Sequence, residues 1–239
     1  MKIDVIFNLH PNFEGEFENK SVVVVDLLRA TSTIVTTLGN GAKSVIPAES
    51  VSEAVKIAKN LDKETYLLCG ERNTKVIDGF DLGNSPLEFT SKKVKEKKII
   101  LTTSNGTNVF NFVKHSKNVL IGSILNLSKL IEKMRLKDSE WTIICAGRDN
   151  HFDSSDAICA GMIISEFSKY SELEMNDAAN LSLLLYNSCK HDLLSALKKT
   201  DHGKILVNNG FEEDLKFIIQ KDIYPINCIY SNNNIYCEE

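Results

Sequence analysis

An unbroken run of four valines at residues 22–25 constrains the fold more than any other segment of this 239-residue chain. A strand with one face in water alternates apolar and polar residues, whereas a continuous β-branched run is typical of a strand buried on both faces of a sheet. Such burial requires helices on both sides of that sheet. The run therefore favours an α/β fold.

The remaining sequence alternates between short apolar runs and segments of helical periodicity. We predict strands at residues 3–7, 21–25, 44–46, 65–68, 98–101, 118–121 and 141–145, and helices at about residues 30–38, 52–60, 105–114, 127–135 and 155–168. Beyond residue 176 the pattern predicts further helices, and residues 226–236 predict a strand or a hairpin interrupted at 232–234. We expect one domain over residues 1–239, a three-layer α/β/α unit with a mostly parallel or mixed sheet and extra C-terminal helices. The pattern does not determine the strand order.

The composition limits the classes of partner. The formal net charge is −4 and no basic stripe stands out, so we expect no nucleic-acid binding. No apolar stretch approaches the roughly 18 residues of a membrane span, and the first residues lack a signal-peptide pattern. The six cysteines include no C-x-x-C pair and several lie in apolar segments, which indicates buried, reduced thiols. We therefore expect a cytoplasmic protein.

The first candidate site follows the valine run, in the segment VVVVDLLRATST. Asp26 is a plausible metal ligand and Arg29 a plausible anion clamp at the carboxyl end of the predicted strand. Thr31 and Ser32 open the next helix, whose N-terminal N–H groups favour a phosphate. The alternative is that Thr31 or Ser32 only caps the helix while Asp26 pairs with Arg29.

A second candidate site lies in residues 67–89, where another predicted strand ends. Glu71 and Arg72 follow Gly70, at which the backbone can turn sharply. Asn84 and Ser85 lie in a Gly-Asn-Ser-Pro turn further on. An ordinary polar surface connection is the alternative, but it needs no Glu–Arg pair beside such a turn.

The third candidate site is the segment TTSNGT at residues 102–107, which joins a strand to a helix. Its hydroxyl groups and its glycine form a natural cradle for a phosphate or sulfonate. A cluster of helix-capping residues would explain one or two of these side chains but not the whole run.

The fourth candidate site, residues 145–161, again follows a strand and combines a cation with several carboxylates: Arg148, Asp149, His151, Asp153 and Asp156. Arg148 is a candidate substrate contact. Two or three carboxylates from separate strand ends would suffice for Mg²⁺, which keeps several waters. Helix capping and interaction with the helix dipole explain Asp153 or Asp156 taken alone.

Other phosphate-handling signatures are absent from the sequence. A haloacid-dehalogenase-type phosphatase would place a second aspartate where this chain has Leu28, and the segment GNGAKS lacks the glycine that precedes lysine in a Walker A loop. No cysteine is followed six residues later by arginine, which excludes a phosphotyrosine-phosphatase loop. The histidines are scattered, and only His151 and His202 are candidates for the site.

Taken together, the four segments resemble the 2-phosphosulfolactate phosphatase family of coenzyme M biosynthesis. The motifs that carry the resemblance occur in order: VVDLLRATST, GER at residues 70–72, GFDLGNSP at 79–86, TTSNGT at 102–107, CAG at 145–147 and FDSSD-AICAG. A weaker likeness continues to the dipeptide HG at residues 202–203 and to residues 222–225. This chain departs from the pattern at Ser155-Asp156, where the family has Glu-Asp, and carries Asp153 instead.

The resemblance implies a Mg²⁺-dependent phosphomonoesterase that converts 2-phospho-3-sulfolactate to 3-sulfolactate and phosphate. It implies that Mg²⁺ is held by Asp26, Glu71 and Asp156, with Asp153 as a further candidate because of the departure. Phosphate or sulfonate would be bound by Arg29 and Arg72, and an anionic oxygen would be cradled by Thr103, Asn105, Gly106 and Thr107. Asn84 and Ser85 would complete the substrate wall.

Several alternatives remain open at this point. Attack could be by water, or Asp26 could act as a nucleophile that forms a phospho-enzyme. The substrate could be another phosphorylated hydroxy acid or a sugar phosphate, because a fold constrains a substrate only loosely. A non-catalytic anion-binding or regulatory protein is a third reading. A homodimer is a possible assembly.

Overall fold

The computed structural model describes residues 1–13 and 15–238. Its strands are β1 (Lys2–Ile6), β2 (Ser21–Val25), β3 (Ser44–Pro47), β4 (Tyr66–Arg72), β5 (Lys75–Val76), β6 (Lys98–Thr102), β7 (Asn118–Gly122), β8 (Glu140–Cys145), β9 (Glu174–Met175), β10 (Asn227–Ser231) and β11 (Asn234–Glu238). Its α-helices are α1 (Ala30–Gly39), α2 (Val51–Ala58), α3 (Ser91–Val94), α4 (Val109–Val113), α5 (Leu127–Lys137), α6 (Ser154–Phe167), α7 (Asp177–Cys189), α8 (Leu193–Lys199), α9 (Asp201–Asn208) and α10 (Glu212–Ile218). The predicted α/β class with extra C-terminal helices is confirmed.

The strands form one mixed sheet in the order β5-β4-β6-β3-β11-β10-β7-β2-β8-β1-β9. One parallel block contains β4, β6 and β3, and a second contains β7, β2, β8, β1 and β9. The C-terminal hairpin of β10 and β11 lies between the blocks and pairs antiparallel with β7 and β3. These pairings make the two parallel blocks run in opposite senses.

Both faces of β2 are buried, as the valine run predicts. Val22 and Val24 pack in one apolar core with residues of α1 and α4. Val23 and Val25 pack in the other core, with α5, α6 and residues of the C-terminal helices. The sheet is therefore the middle layer of an α/β/α arrangement, and α7 to α10 extend the layer that contains α6.

Two predicted element boundaries are wrong close to the candidate sites. β4 continues through Glu71 to Arg72 and turns directly into β5, whereas the sequence predicts that the strand ends near residue 68. Gly70 serves a close strand approach, because a Cβ there would lie 2.2 Å from the Thr102 carbonyl oxygen. Helix α4 begins at Val109 rather than near residue 105, since the preceding residues form a hydrogen-bonded loop.

The C-terminal segment forms a hairpin, which confirms one of the two predicted alternatives. Its two-residue turn consists of Asn232 and Asn233, both with positive φ, as a tight hairpin turn requires. Among residues 1–13 and 15–238 no disulfide is present, and Cys69, Cys145, Cys159 and Cys228 are buried thiols. No α-helix of that described part is both long and apolar enough to span a bilayer.

Candidate active site

The four candidate segments converge on one cavity of about 270 Å³. Its walls come from the ends of β2, β4 and β8, from the loop after β6 and from α9. The lining residues are Asp26, Leu28, Arg29, Glu71, Asn73, Thr74, Asn84, Thr103, Ser104, Asn105, Arg148, Asp149, His202, Ile205 and Asn209. The cavity therefore joins residues from both parallel blocks and from the C-terminal helices.

The turn from β2 into α1 fixes Asp26 at the cavity. The Ala30 N–H donates to Asp26 Oδ1 at 3.1 Å, and the Thr31 side chain both donates to the Asp26 carbonyl at 2.9 Å and accepts from the Asp26 N–H at 3.1 Å. The Ser32 hydroxyl donates to the Leu27 carbonyl. Thr31 and Ser32 thus hold the turn with their hydroxyl groups, and their role as substrate contacts stays a prediction.

Arg29 lines the cavity but is held from behind by a buried carboxylate. Its Nη1 donates to Asp214 Oδ2 at 2.7 Å, and both side chains are only 2% exposed. The other oxygen of Asp214 accepts from the Ser85 hydroxyl at 2.6 Å, and the Arg29 guanidinium lies 4.3 Å from the centre of the Phe211 ring. The ion pair of Arg29 with Asp26, the alternative considered for this segment, is not formed; Arg29 pairs with Asp214, a residue that the sequence analysis missed.

Glu71 and Arg72 lie next to each other on β4 and point in different directions. Glu71 lines the cavity and accepts from the N–H groups of Thr74, at 2.8 Å, and Ser104, at 2.9 Å. Arg72 donates to the Glu71 carbonyl at 2.7 Å and to the Thr102 hydroxyl at 3.0 Å. Glu71 and Asp26 therefore line the same cavity, whereas Arg72 does not line it and binds the Glu71 carbonyl and the Thr102 hydroxyl.

The loop after β6 packs directly against Asp26. Thr103 and Thr107 bind each other's backbone N–H groups at 3.3 Å, which fixes the loop. A Cβ at Gly106 would lie 2.4 Å from Asp26 Oδ2, so only glycine permits this approach. Asn105 lines the cavity and accepts from the Asp149 N–H at 2.9 Å. Of the four residues predicted to cradle an anionic oxygen, Thr103 and Asn105 line the cavity whereas Gly106 and Thr107 do not, and the cradle itself stays a prediction.

Two polar atoms of the cavity wall are buried and lack a hydrogen-bond partner within the described residues: Asn84 Oδ1 and Thr74 Oγ1. An unpaired buried oxygen is costly, and a water molecule, a ligand or a metal ion can satisfy it. Asn84 is 4% exposed and was predicted as part of the substrate wall. Thr74 was not predicted, because it reads as an ordinary turn residue between β4 and β5.

The segment after β8 contributes one cation, Arg148, to the cavity and one buried carboxylate, Asp156, that links two loops. The Arg148 side chain has no ion pair or hydrogen bond within residues 1–13 and 15–238. Asp156 accepts from the N–H groups of Leu27, at 2.8 Å, and Gly147, at 3.1 Å, and so ties the loop after β2 to the loop after β8. Asp156 is 2% exposed and does not line the cavity.

Asp153, the carboxylate near the departure from the family pattern, caps α6. Its Oδ1 accepts from the N–H and the hydroxyl of Ser155 at 2.8 and 2.5 Å, and its Oδ2 lies 3.2 Å from His202 Nδ1. His202 lines the cavity. Its only sequence signal was the weak HG likeness, because α9 lies far from the other motifs along the chain.

The buried carboxylates differ in acidity. Burial raises the pKa of Asp26 to about 6, against the opposing effects of His202 and the Ala30 N–H. Burial also raises the pKa of Asp156 well above its usual range, and the negative charges of Asp153 and Asp26 add to this effect. For Asp153 burial acts in the same direction, but the contacts with His202 and Ser155 outweigh it and lower the pKa.

The oxygen donors of the cavity are compatible with a Mg²⁺ ion that keeps several of its water ligands. Asp26 and Glu71 present carboxylates to the cavity, and Asn84 adds an unpaired amide oxygen. Within the described residues, no group of three or more His, Cys, Asp or Glu side chains is placed to hold a metal ion. One or two carboxylates together with substrate phosphate oxygens are a common Mg²⁺ environment, so the residues fit that ion without forming a closed cage.

Comparison with known proteins agrees with the geometry. The sequence model of the 2-phosphosulpholactate phosphatase family matches residues 9–233. A probable 2-phosphosulfolactate phosphatase of Clostridium novyi is 40% identical over 226 residues, which are 95% of each chain. Probable 2-phosphosulfolactate phosphatases of Caldanaerobacter subterraneus subsp. tengcongensis, 40% identical over 89% of this chain and 88% of that protein, and of Clostridium beijerinckii, 35% identical over 100% of each, are similar along nearly their whole length.

Proposed function

This chain belongs to the 2-phosphosulfolactate phosphatase family, and we propose that it hydrolyses 2-phospho-3-sulfolactate to 3-sulfolactate and phosphate with the help of Mg²⁺. The relatives' names support the reaction. The observation that carries the proposal for this chain is the cavity itself, in which two buried carboxylates, Asp26 and Glu71, and two unpaired buried oxygens meet arginine side chains. That combination suits a phosphate ester bound together with a cation.

The charges of the cavity argue for a cation beside the phosphoryl group. Asp26 and Glu71 would repel a phosphate dianion placed between them, because both are carboxylates in a water-poor wall. A divalent ion held by Asp26 and Glu71, with Asn84 Oδ1 as a further donor, removes that repulsion. When bound, Mg²⁺ polarises the phosphoryl group and offsets the negative charge that develops on it.

The protein's own groups then bind and orient the ester. Arg29 lines the cavity and would donate to the ester, while Asp214 fixes its position. The loop of Thr103 and Asn105 covers the side of the cavity next to Asp26. Thr31 and Asp156 act behind this surface, because their side chains hold the backbone at Asp26 and Leu27. Gly106 leaves the space that the Asp26 carboxylate occupies.

The test is phosphate release by protein stripped of metal with a chelator, measured with and without added Mg²⁺. We expect Mg²⁺-dependent release from 2-phospho-3-sulfolactate. Glu71→Gln should lower the rate at least about a hundredfold, because Mg²⁺ contributes several kcal/mol to charge stabilisation. Glu64→Gln, an exposed carboxylate just before the same strand, is the matched control and should retain full activity.

Two results would contradict the proposal. Equal rates in the presence of chelator and of Mg²⁺ would remove the metal from the reaction. If the protein binds the ester but releases no phosphate at any Mg²⁺ concentration, the proposed phosphatase activity is refuted and a non-catalytic anion-binding function is favoured.

A further inference from the structure

A second polar cavity of about 410 Å³ lies beside the first. We call it the side cavity; it is formed by residues 151–154 and 199–202 together with Arg148. Arg148 and His202 line both cavities and so form their common wall. Asp26, Glu71 and Asn84 line only the first cavity. A ligand whose phosphoryl group lies beside those residues therefore has Arg148 and His202 in the wall of the same cavity.

The carboxylates of the side cavity already have partners. Both oxygens of Asp153 are engaged by Ser155 and His202. Asp201 lies 3.0 Å from the ammonium group of Lys204 on the same helix. Neither of the two carboxylates that line the side cavity therefore forms an ion pair with Arg148 or Lys199.

The cations of the side cavity are Arg148 and Lys199. Neither side chain forms an ion pair or a hydrogen bond within the described part of the chain. The other two arginines near the site are engaged, Arg29 by Asp214 and Arg72 by the Glu71 carbonyl and Thr102. Arg148 is thus the guanidinium of the cavity wall that can give its full charge and its paired N–H donors to a ligand.

We propose that Arg148 and Lys199 form an acid-recognition subsite, which binds the sulfonate or carboxylate group of the substrate that is remote from the phosphate. This inference rests on the proposed phosphatase function and assigns the selectivity for phosphate esters of hydroxy acids to two named residues. In this arrangement the phosphoryl group of the substrate lies beside Asp26 and Glu71, and the remaining acid group lies beside Arg148 at the common wall. An ester without a second acid group gains nothing from the subsite.

Three substrates with an increasing number of acid groups test the subsite: isopropyl phosphate, 2-phospholactate and 2-phospho-3-sulfolactate. We expect Arg148→Gln to lower kcat/KM for 2-phospho-3-sulfolactate about tenfold to a hundredfold, the effect of losing a charge-assisted hydrogen bond. The value for isopropyl phosphate should change less than about threefold. Lys199→Gln should act in the same direction but by only about threefold, because its ammonium is solvent-exposed. Lys198→Gln is the matched control, since the adjacent Lys198 pairs with Glu212 outside the side cavity.

A second measurement separates the subsite from the reaction. Calorimetric binding of 3-sulfolactate, which has both acid groups and no phosphate, should weaken in Arg148→Gln by a similar factor. If the wild-type protein binds 3-sulfolactate through Arg148 but hydrolyses none of the esters, the phosphatase proposal fails and the subsite stands. If phosphate is released but Arg148→Gln changes neither the substrate preference nor 3-sulfolactate binding, the subsite is refuted. An equal loss for all three substrates would also refute it, because Arg148 would then bind the phosphate.

Discussion

The buried pair of Arg29 and Asp214 offers a sharp test of how the C-terminal helices support the site. We consider the replacements Asp214→Leu and Arg29→Met, singly and together. Each single change leaves one charge in a wall where both side chains are 2% exposed, without its partner at 2.7 Å. An uncompensated buried charge of this kind lowers the free energy of unfolding by about 3–5 kcal/mol.

The double replacement should cost far less than the sum of the two single ones. It removes both charges and fills similar volume with apolar groups, which for a buried pair is often close to neutral. The remaining costs are the Ser85 hydroxyl, which loses its acceptor at 2.6 Å, and the contact of the guanidinium with the Phe211 ring. These amount to roughly 1–3 kcal/mol and about 0.5–2 kcal/mol respectively. We therefore expect a coupling energy of at least about 1 kcal/mol, and of about 5 kcal/mol from the central figures, between the two positions.

Urea unfolding of the metal-free protein measures the free energies of unfolding of the wild type, the two single variants and the double variant. The four values can be compared if the m-values are unchanged. Asp201→Asn is the control, because the exposed pair of Asp201 with Lys204 should contribute less than about 1 kcal/mol. Single variants that each cost under 1 kcal/mol, or that add without coupling, would refute the reasoning. Asp214 would then be an ordinary residue of α10 rather than the group that holds Arg29.

Two further predictions concern Asp26. Gly106→Ala places a methyl group 2.4 Å from Asp26 Oδ2 and 2.6 Å from the Ala30 Cβ, so it should lower the free energy of unfolding by about 1–3 kcal/mol and displace Asp26. The displacement should lower the rate of phosphate release. A rate equal to that of the exposed control Asn108→Ala would contradict the displacement of Asp26. Burial raises the pKa of Asp26 to about 6, so the ionised carboxylate destabilises the folded metal-free protein increasingly as the pH rises from 4 to 7. Asp26→Asn should then be as stable as the wild type at pH 4 but up to about 3 kcal/mol more stable at pH 7.5, and an equal difference at both pH values in urea unfolding would exclude the effect.

The parts of the site that were predictable from sequence are those whose signals are local. Asp26, Glu71, Thr103 and Arg148 each follow an apolar run within a few residues, and a strand that ends in polar residues at the edge of a sheet is a common ligand site. Their residue types indicated anion and metal chemistry, and the structure places all of them in one cavity.

The residues that sequence analysis missed depend on contacts between distant segments. Asp214 lies in the first turn of α10 after two glutamates, where an acidic residue is expected for interaction with the helix dipole, so its sequence context gives no hint of a buried partner 185 residues away. Thr31 and Ser32 show the opposite difficulty. A hydroxyl residue at a helix start suits both a ligand and a backbone bond, and only the folded geometry shows the bonds to Asp26 and Leu27.

The sheet order was unpredictable for a similar reason. The two-residue turn of Asn232 and Asn233 is a local signal for a hairpin, but nothing in residues 226–236 specifies where that hairpin pairs. Its insertion between β3 and β7 reverses the sense of one parallel block relative to the other. The site consequently depends on the loop after β6, which reaches Asp26 through Gly106, and not only on adjacent strand ends.

The departure from the family pattern at Ser155 has a structural consequence that bears on the metal prediction. Ser155 donates its hydroxyl and its N–H to one oxygen of Asp153, while the other oxygen contacts His202. Asp153 would have to give up the His202 contact to bind a metal ion there. Both oxygens of Glu71 also accept hydrogen bonds, but Glu71 and Asp26 line the first cavity and Asp153 does not. Since His202 also lies on the wall shared with the side cavity, Asp153 is better placed to orient that imidazole than to hold Mg²⁺. The C-terminal helices, through His202 and Asp214, therefore complete a site whose six main motifs lie in the first two thirds of the chain.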